Sequence, residues 1–552
     1  MSLSAFGLNL LIFLPLVGAI LVWRTPRERE DVAGRLALWI SIACLLVAAP
    51  LWYQSLSAGA GTIAEVKRAW IEVGGRSKGE LIDGLRISWH VALDALSAPL
   101  MLLTAILVPL SVACSFTAIR HRVNEYYAWL LMLTSGMFGV FAARDLLLFY
   151  VFFEFTLIPL YFLIGIWGGS DRRYAANKFF LFTFAGSVLT FAGILYLAIR
   201  GAQLSGSGVV DFDLVRLSSL ALGGAGLTAG EQSLLFLAFF AGFAIKVPLF
   251  PLHTWLPLAH TEAPTAGSVL LAGVLLKLGT YGFLRFSLPM VPSGAMEWAS
   301  LMGVLAVMGI IYGALCSWVQ QDVKKLVAYS SVSHLGFCML GMFSLVDYGI
   351  SGSVLYMINH GLSTGALFLC VGMMYERYHT RDMRKLGGLA KEMPIFAFFL
   401  VVFVLSSVGL PGLNGFVSEF TTLMAAFNSP LVLGPWFGVF GATGILLGAI
   451  YLFYMTGSVL FGPYKAPADT PDLSAGLSKD LNRREIAILT PLAVLCVILG
   501  WAPRLVTDTL DPLIQAQVLN RVAAARQVNE AMAATPTQAA TLAAISNAGA
   551  AR

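Results

Sequence analysis

Four charged side chains lie inside long apolar segments of this 552-residue sequence. They are Glu154 in LLLFYVFFEFTLIPLYFLIG, Lys246 in LLFLAFFAGFAIKVPLFPLHTW, Lys277 in GSVLLAGVLLKLGTYGFL and Glu419 in GLPGLNGFVSEFTTLM. A charge at the centre of a bilayer costs at least about 2.5 to 3.5 kcal/mol, so each residue is a candidate for function. Two acids and two bases could also neutralise one another as buried pairs, but their position on four separate segments favours a functional interpretation.

Proton transfer is the chemistry that these residue types could do. Burial lowers the pKa of a lysine and a nearby carboxylate raises it, so moving the carboxylate switches the lysine between holding and releasing a proton. We predict that Glu154 and Lys246 form such a switch pair. Protons released there would pass to Lys277 and then to Glu419.

Histidines extend this set, because an imidazole exchanges protons near neutral pH. His334 in YSSVSHLGF and His360 in YMINHGLSTGALFL lie in apolar segments, beside Ser and Asn side chains. A lone buried histidine can also be a satisfied core residue. His253 is a secondary candidate, for which a bond to an exposed backbone carbonyl is an equal explanation. We call the six predicted relay residues the mid-membrane row: Glu154, Lys246, Lys277, His334, His360 and Glu419.

The composition requires that most of the chain lies in lipid. Hydrophobic residues make up 58% of the chain, charged residues 12%, and the mean hydropathy is +0.80. The net charge is +5, but the basic residues lie in short gaps between apolar runs. This distribution is typical of membrane topology signals and gives no support for nucleic-acid binding. Since about 20 apolar residues span a bilayer as a helix, the sequence predicts an all-α polytopic membrane protein. About fourteen transmembrane helices are expected, near residues 5–23, 34–53, 93–115, 125–143, 146–168, 177–199, 231–258, 262–286, 296–318, 324–343, 348–375, 394–425, 432–461 and 486–503.

Two of these helices, the seventh and the twelfth, contain residues that break a helix. Proline removes a backbone donor, and unpaired backbone groups at that depth are tolerated only inside protein or beside a water-filled cavity. Two broken helices of opposite predicted direction indicate an inverted internal repeat, with a plain proline kink as the alternative. The breaking residues are Pro248, Pro251 and Pro257 after Lys246, and Pro411, Gly412 and Gly415 before Glu419.

Basic residues set the expected orientation. The odd-numbered connections between the predicted helices hold more than twice as many Lys and Arg residues as the even-numbered ones, which places them in the cytoplasm. Both termini then face the periplasm, and the apolar N-terminus is expected to be a retained first helix. Most extramembrane sequence lies in loops 54–92 and 200–230 and in the Ala-rich tail after 504, expected to be a weak, fraying helix without chemistry.

Redox chemistry is expected on partner proteins. The six cysteines are scattered singly through apolar segments, with no CxxC pair, so each is expected to be a packing residue. The sequence offers neither ligands for an iron–sulfur cluster nor a glycine-rich dinucleotide loop.

Five stretches resemble one family, the chain M (chain 4) antiporter-like subunits of bacterial complex I, over about residues 94–460. They are DLLLFYVFFEFTLIPLYFLIGIWGG, KVPLFPLHTWLPLAHTEAPTAGSVLLAGVLLKLGTYGFLRF, AYSSVSHLGF, NHGLSTGALFLCVGMMYERYHTRD and GLPGLNGFVSEF. The resemblance implies two inverted five-helix repeats with broken helices 7 and 12. Its domain bounds are 1–124 for helices 1–3, 125–286 and 287–461 for the repeats, and 462–552 for helix 14 and the tail.

The resemblance also implies roles and partners. Glu154 and Lys246 match the family's switch pair, Lys277 its central lysine and Glu419 its terminal acid, with His334 and His360 on the connecting axis. The chain would be a proton-translocating subunit of NADH:quinone oxidoreductase in the bacterial inner membrane, with no cofactor of its own. FMN, iron–sulfur clusters and quinone would belong to partner subunits. Its expected partners are other membrane-arm subunits, including neighbouring antiporter-like ones, and membrane lipid.

Three alternatives remain at this point. One is a subunit of an Mrp-type sodium/proton antiporter, and another is a membrane subunit of an energy-converting hydrogenase. The third is a structural membrane subunit whose charges only pair helices. By resemblance, the acid at position 419 favours the respiratory subunit, because its close relatives usually carry lysine at that position. The predicted relay argues against the purely structural role.

Overall fold

The computed structural model describes residues 2–74, 84–220, 226–467 and 477–533. The helices up to the first break are α1 (Leu3–Trp23), α2 (Glu30–Ser55), α3 (Ser97–Ala118), α4 (Val123–Ala142), α5 (Leu146–Trp167), α6 (Arg172–Leu204), α7 (Leu214–Ser219) and α8 (Ala229–Lys246). The later ones are α9 (Leu256–Glu262), α10 (Thr265–Met290), α11 (Pro292–Trp318), α12 (Val323–Met342), α13 (Asp347–Tyr378), α14 (Leu389–Glu392), α15 (Pro394–Val408), α16 (Asn414–Phe427), α17 (Pro435–Leu460), α18 (Arg483–Trp501), α19 (Arg504–Ile514) and α20 (Asn520–Ala533). The strands are β1 (Thr62–Gly74), β2 (Gly84–Asp94) and β3 (Val209–Asp211).

The prediction of a predominantly helical membrane protein is confirmed. Among the described residues, eleven helices are long and apolar enough to cross a membrane. Most of them bury only a third to two thirds of their most apolar stretch and expose large side chains such as Leu181, Leu446 and Phe453. Such surfaces suit lipid, in which apolar side chains need no cover. The count of fourteen spans stays a prediction.

Both predicted helix breaks are present. The first separates α8, which ends at Lys246, from α9, which begins at Leu256. Pro257 does not contribute to this break, because it lies in the first turn of α9, where its missing N–H is not needed.

The second break separates α15 from α16. Gly409 and Gly412 adopt φ values of +81° and +94°, which favour glycine because it has no Cβ. Gly415 lies beyond the break, in the first turn of α16, and a Cβ there would lie 2.0 Å from the carbonyl oxygen of Ser406. This glycine therefore allows the two half-helices to approach closely.

Two helices form the centre of the bundle. The most apolar stretches of α10 and α13 are completely buried, unlike those of the surrounding helices. Helix α10 contains two π-helical turns, at Leu271–Leu275 and Phe283–Ser287. These central helices carry Lys277 and His360, so the packing encloses ionisable side chains within the protein.

A small sheet covers one end of the bundle, in the loop for which the sequence predicted no structure. Strands β1 and β2 form an antiparallel hairpin, and β3 adds to β2 in parallel. The carboxylate of Asp213 lies 2.6 Å from the Lys67 ammonium and 2.8 Å from His90 Nδ1, which ties the hairpin to α7. Burial raises the pKa of Asp213, but the hydrogen bonds from His90 and Lys67 outweigh it and hold the pKa below its usual range.

A buried ion cluster fixes the hairpin to the central helix α10. Asp94, at the end of β2, lies 2.6 Å from Arg144 and 2.7 Å from Arg285 of α10, and all three side chains are buried. Arg285 also donates to the side-chain oxygen of Gln517 at 3.0 Å. The cluster thus joins the hairpin, α10 and the C-terminal segment.

We expect Asp94→Asn to destabilise the protein strongly. Two guanidinium groups would remain buried without a carboxylate, and breaking a buried pair costs about 3 to 5 kcal/mol. Thermal unfolding of the purified assembly measures this loss. The control is Asp31→Asn, which removes an exposed ion pair with Arg35 and should leave the midpoint unchanged. Equal midpoints for the two variants would contradict this prediction.

The C-terminal segment is more ordered than the sequence analysis expected. Helices α19 and α20 pack back onto the bundle, and Arg521 Nη1 donates to the carbonyl oxygens of Ser218 at 2.5 Å and Pro289 at 3.3 Å. The expected helical structure is present within residues 504–533, and tertiary contacts hold it where the composition suggested fraying. The rest of the tail lies outside the described residues.

Candidate functional site

The structure places Glu154 and Lys246 near each other. Asp145 caps α5 by accepting from the backbone N–H groups of Leu147 and Leu148, and Glu154 lies in its third turn, just before an interruption at Thr156. Lys246 is the last residue of α8 and is buried. The two side chains interact electrostatically but make no ion pair within 4.0 Å.

An aromatic ring lies beside this pair. The Lys246 Nζ atom is 4.7 Å from the centroid of Phe153, the residue before Glu154, which is within the range of a cation–π contact. Both Lys246 Nζ and Glu154 Oε1 are buried without a hydrogen-bond partner among the described residues. The lysine and the carboxylate are therefore not held together in an ion pair.

Lys277 and His360 are in direct contact. The Lys277 ammonium donates to the carbonyl oxygen of Ala272 at 2.5 Å and lies 2.6 Å from His360 Nδ1. Ala272 belongs to the first π-helical turn of α10, immediately before the lysine. Both side chains are buried, and a proton on Lys277 can pass to His360 Nδ1 when that nitrogen carries no proton.

His334 and Glu419 are joined through a residue that the sequence analysis did not single out. Tyr356 Oη donates to Glu419 Oε1 at 2.9 Å and lies 2.7 Å from His334 Nδ1. The direct distance from His334 Nδ1 to Glu419 Oε1 is 3.8 Å, too long for a hydrogen bond. Tyr356 lies four residues before His360 on α13 and so faces the same side of the helix, which is a signal that the sequence does carry.

A small cavity separates the two connected groups. His334 and His360 have ring centroids 5.8 Å apart and no direct hydrogen bond between them. His360 Nε2, Asn359 Oδ1 and Ser407 Oγ are buried without a hydrogen-bond partner in the described part of the chain, and their residues line the cavity. The space suits about one water molecule, since unpaired polar atoms around such a void are normally satisfied by water. The full lining is His334, Tyr356, Asn359, His360, Ser363, Ser406, Ser407, Gly415, Ser418 and Glu419.

A second gap lies between Lys246 and Lys277. Helices α8 and α10 are in close contact there, since a Cβ on Gly279 would lie 2.6 Å from the carbonyl oxygen of Phe243. No hydrogen bond joins the two lysines through the side chains described in the structure. The mid-membrane row therefore consists of three groups: Glu154 with Lys246, which interact only electrostatically, Lys277 with His360, which are in hydrogen-bond contact, and His334 with Glu419, which are joined through Tyr356.

His253 is placed apart from these groups. It lies in the break after α8, where its ring packs against Phe250 at 5.8 Å and Tyr312 at 5.2 Å, measured between centroids. Its Nδ1 atom has no hydrogen-bond partner within the described ranges.

His260 is a further buried histidine, which the sequence analysis did not consider. Its ring stacks on Phe368 with centroids 4.6 Å apart, and both ring nitrogens are buried with no hydrogen-bond partner among the residues that the structure describes. It interacts electrostatically with Lys277 and Lys324. Its isolation depends on a phenylalanine more than a hundred residues away, so no local sequence signal could have shown it.

Metal-ligand sets are absent from the described part of the chain. No three His, Cys, Asp or Glu side chains there come together as a possible metal site. The cysteines described are free, and all but the half-buried Cys316 are buried.

Comparison with known proteins identifies the family. A profile described as NADH:quinone oxidoreductase/Mrp antiporter, transmembrane, matches residues 143–447, a range that contains the whole mid-membrane row. NADH-quinone oxidoreductase subunit M of Rhodobacter capsulatus is 40% identical over 517 residues, which cover 93% of this chain and 96% of that protein. The chain belongs to this family.

Solved structures of the NADH:quinone oxidoreductase/Mrp antiporter family share the fold. A chain of respiratory complex I from Thermus thermophilus with bound NADH matches with a TM-score of 0.78 and 30% identity, covering 94% of this chain and 99% of that one. A chain of the Mrp complex from Dietzia sp. DQ12-45-1b matches with a TM-score of 0.75 and 20% identity, covering 95% and 100%. At that identity, the second similarity establishes the fold alone.

Proposed function

We propose that this chain is the M-type (chain 4) proton-translocating membrane subunit of an NADH:quinone oxidoreductase. The observation that carries the proposal is the enclosed path from Lys277 and His360, across the small cavity, to His334, Tyr356 and Glu419. A purely structural set of charges would pair acid with base, whereas Lys277 contacts an imidazole and Glu419 a tyrosine hydroxyl. Contacts of this kind suit the exchange of a proton between neighbours.

The switch pair would drive this path. When Glu154 approaches Lys246, the lysine holds its proton; when Glu154 withdraws, the burial of the lysine favours release toward Lys277. Moving one charge against the membrane potential needs about 2.3 kcal/mol per 100 mV. The described residues include no metal-ligand cluster that could serve as a redox centre, so the energy would come from quinone reduction in partner subunits that hold FMN and iron–sulfur clusters.

The architecture supports a division of the chain into two repeats. Each predicted repeat contains one broken helix. In residues 125–286 the break follows Lys246, and in residues 287–461 it precedes Glu419. With residues 1–124 and 462–552 at the ends, this gives the fourteen-span arrangement predicted above. The chain would lie in a bacterial inner membrane with both termini in the periplasm. Neighbouring antiporter-like subunits and lipid would contact its exposed apolar faces.

Co-purification tests this function directly. The assembly is extracted from its native membrane in mild detergent, analysed by mass spectrometry and assayed for NADH:quinone activity. We expect flavin and iron–sulfur subunits to accompany the chain, together with NADH oxidation. Small hydrophobic partners without redox activity would instead assign the chain to a sodium/proton antiporter, and hydrogenase activity would assign it to an energy-converting hydrogenase.

A further inference from the structure

A basic cleft adjoins an apolar groove on the surface, away from the mid-membrane row. The cleft lies between the loop that follows α13 and the end of α17, and its lining includes Arg384, Tyr454 and Lys465. Lys385 extends the basic surface outward from it. The groove runs along α15, lined by Pro394, Ala397, Phe398, Val401, Leu405 and Phe461. Phe461 lines both the cleft and the groove, so the two are continuous.

Backbone hydrogen bonds hold the basic loops in place. Gly387 and Lys465 each donate to the carbonyl oxygen of the other, at 3.2 and 2.9 Å, and Gly388 donates to Phe461 at 3.0 Å. Gly388 has a φ of +65°, and a Cβ there would lie 2.7 Å from the backbone nitrogen of Tyr464. This glycine therefore permits a close approach of the two loops.

The charge of the cleft is suited to an anion. Arg384 is paired with Asp382 at 2.8 Å. Lys385 and Lys465 are exposed and have no carboxylate within 4.0 Å among the described residues. Lys465 thus presents an ammonium group in the cleft, and Lys385 presents a second one on its outer side.

The length of the groove matches one leaflet of a bilayer. From Pro394 to Leu405 the helix rises by about 16 Å. Half of the roughly 30 Å hydrocarbon layer is about 15 Å. Because Lys and Arg are concentrated on the cytoplasmic side, the basic cleft would lie at the cytoplasmic headgroup level, with the groove extending into the same leaflet.

We propose that this cleft and groove bind one anionic phospholipid. Its phosphate would lie against Lys385 and Lys465, with Tyr454 at the interface, and one acyl chain would follow Phe398, Val401 and Leu405. The continuity of the basic and apolar surfaces carries the proposal, because free phosphate would not need the groove and an uncharged lipid would not need the lysines. The alternative occupant of the groove is a helix of a neighbouring subunit. The experiment below distinguishes this helix from a bound lipid.

The experiment uses the complete assembly purified from native membranes. It is stripped of loosely held lipid and labelled with phosphatidylglycerol that carries a photoreactive acyl chain, with phosphatidylcholine of the same chain as the neutral probe. The labelled peptides are read by mass spectrometry. The variants are Lys385→Gln/Lys465→Gln and, as the matched control, Arg173→Gln, an exposed basic residue on the same predicted face but outside the cleft.

We expect phosphatidylglycerol to label the peptide from Pro394 to Leu405, and phosphatidylcholine to label it much less. At about fivefold per basic residue, the double variant should need a roughly 25-fold higher lipid concentration for half-maximal labelling. Arg173→Gln should behave like the unmodified chain. Equal labelling by both lipids, an unchanged concentration dependence in the double variant, or a cross-link from this groove to a neighbouring subunit in place of lipid would overturn the proposal.

Discussion

Proton pumping is expected to fall by about two orders of magnitude in the Lys246→Ala variant, while assembly is retained. A positioned acid–base group contributes at least about a hundredfold to proton transfer. Lys246 is buried next to Phe153 and is the titratable side chain at the end of α8, with Glu154 as its electrostatic partner. Pumping is measured with a pH-sensitive dye in proteoliposomes during NADH oxidation.

Two further variants separate proton release from the loss of a charge. Lys246→Arg keeps the cation, but a guanidinium does not release its proton, so this variant should assemble and still fail to pump. Lys178→Ala removes a cation close to the start of α6 and should pump normally. Normal pumping by Lys246→Ala, or restored pumping by Lys246→Arg, would exclude Lys246 from proton transfer.

We expect Tyr356→Phe to reduce pumping by roughly 5- to 150-fold. The phenyl ring preserves packing on α13, but Glu419 loses the hydroxyl at 2.9 Å, and its 3.8 Å distance to His334 is too long for a direct hydrogen bond. Leaving such a buried group without its partner costs about 1 to 3 kcal/mol, which gives that range of rates. The measurement is the ratio of protons pumped to NADH oxidised.

Tyr451→Phe is the matched control for this variant. The Tyr451 hydroxyl is also buried but contacts His334 Nε2 at the longer distance of 3.3 Å. Its removal leaves the hydrogen bond between Tyr356 and Glu419 intact, so pumping should change much less. Equal loss in the two variants would show that the effect arises from general disturbance of the cavity rather than from the connection through Tyr356.

The sequence predicted the parts of the fold that local chemistry determines. Prolines and glycines located both helix breaks, because their backbone limits act within a few residues. Charged residues in apolar runs identified the mid-membrane row, since the cost of burying a charge does not depend on the details of packing. The direct contact of Lys277 with His360, on helices more than eighty residues apart in the chain, needed the structure.

The parts that were missed depend on tertiary contacts. The role of Tyr356 depends on His334 and Glu419, which come from two other helices. Helices α19 and α20 are held by contacts such as that of Arg521 with Pro289, although their Ala-rich composition suggested a fraying segment. The hairpin was missed because its strands are held partly by ions such as Asp94, whose partners lie far away in sequence.

The two gaps in the mid-membrane row bear on leakage. A continuous chain of hydrogen bonds between the two faces of a membrane would let protons flow back down the gradient. Each returning proton would dissipate about 2.3 kcal/mol of stored free energy per 100 mV. In this chain the mid-membrane row is interrupted between Lys246 and Lys277 and again at the cavity between His360 and His334. A resting chain should therefore be proton-tight, with back-flow limited by how often water bridges both gaps at once.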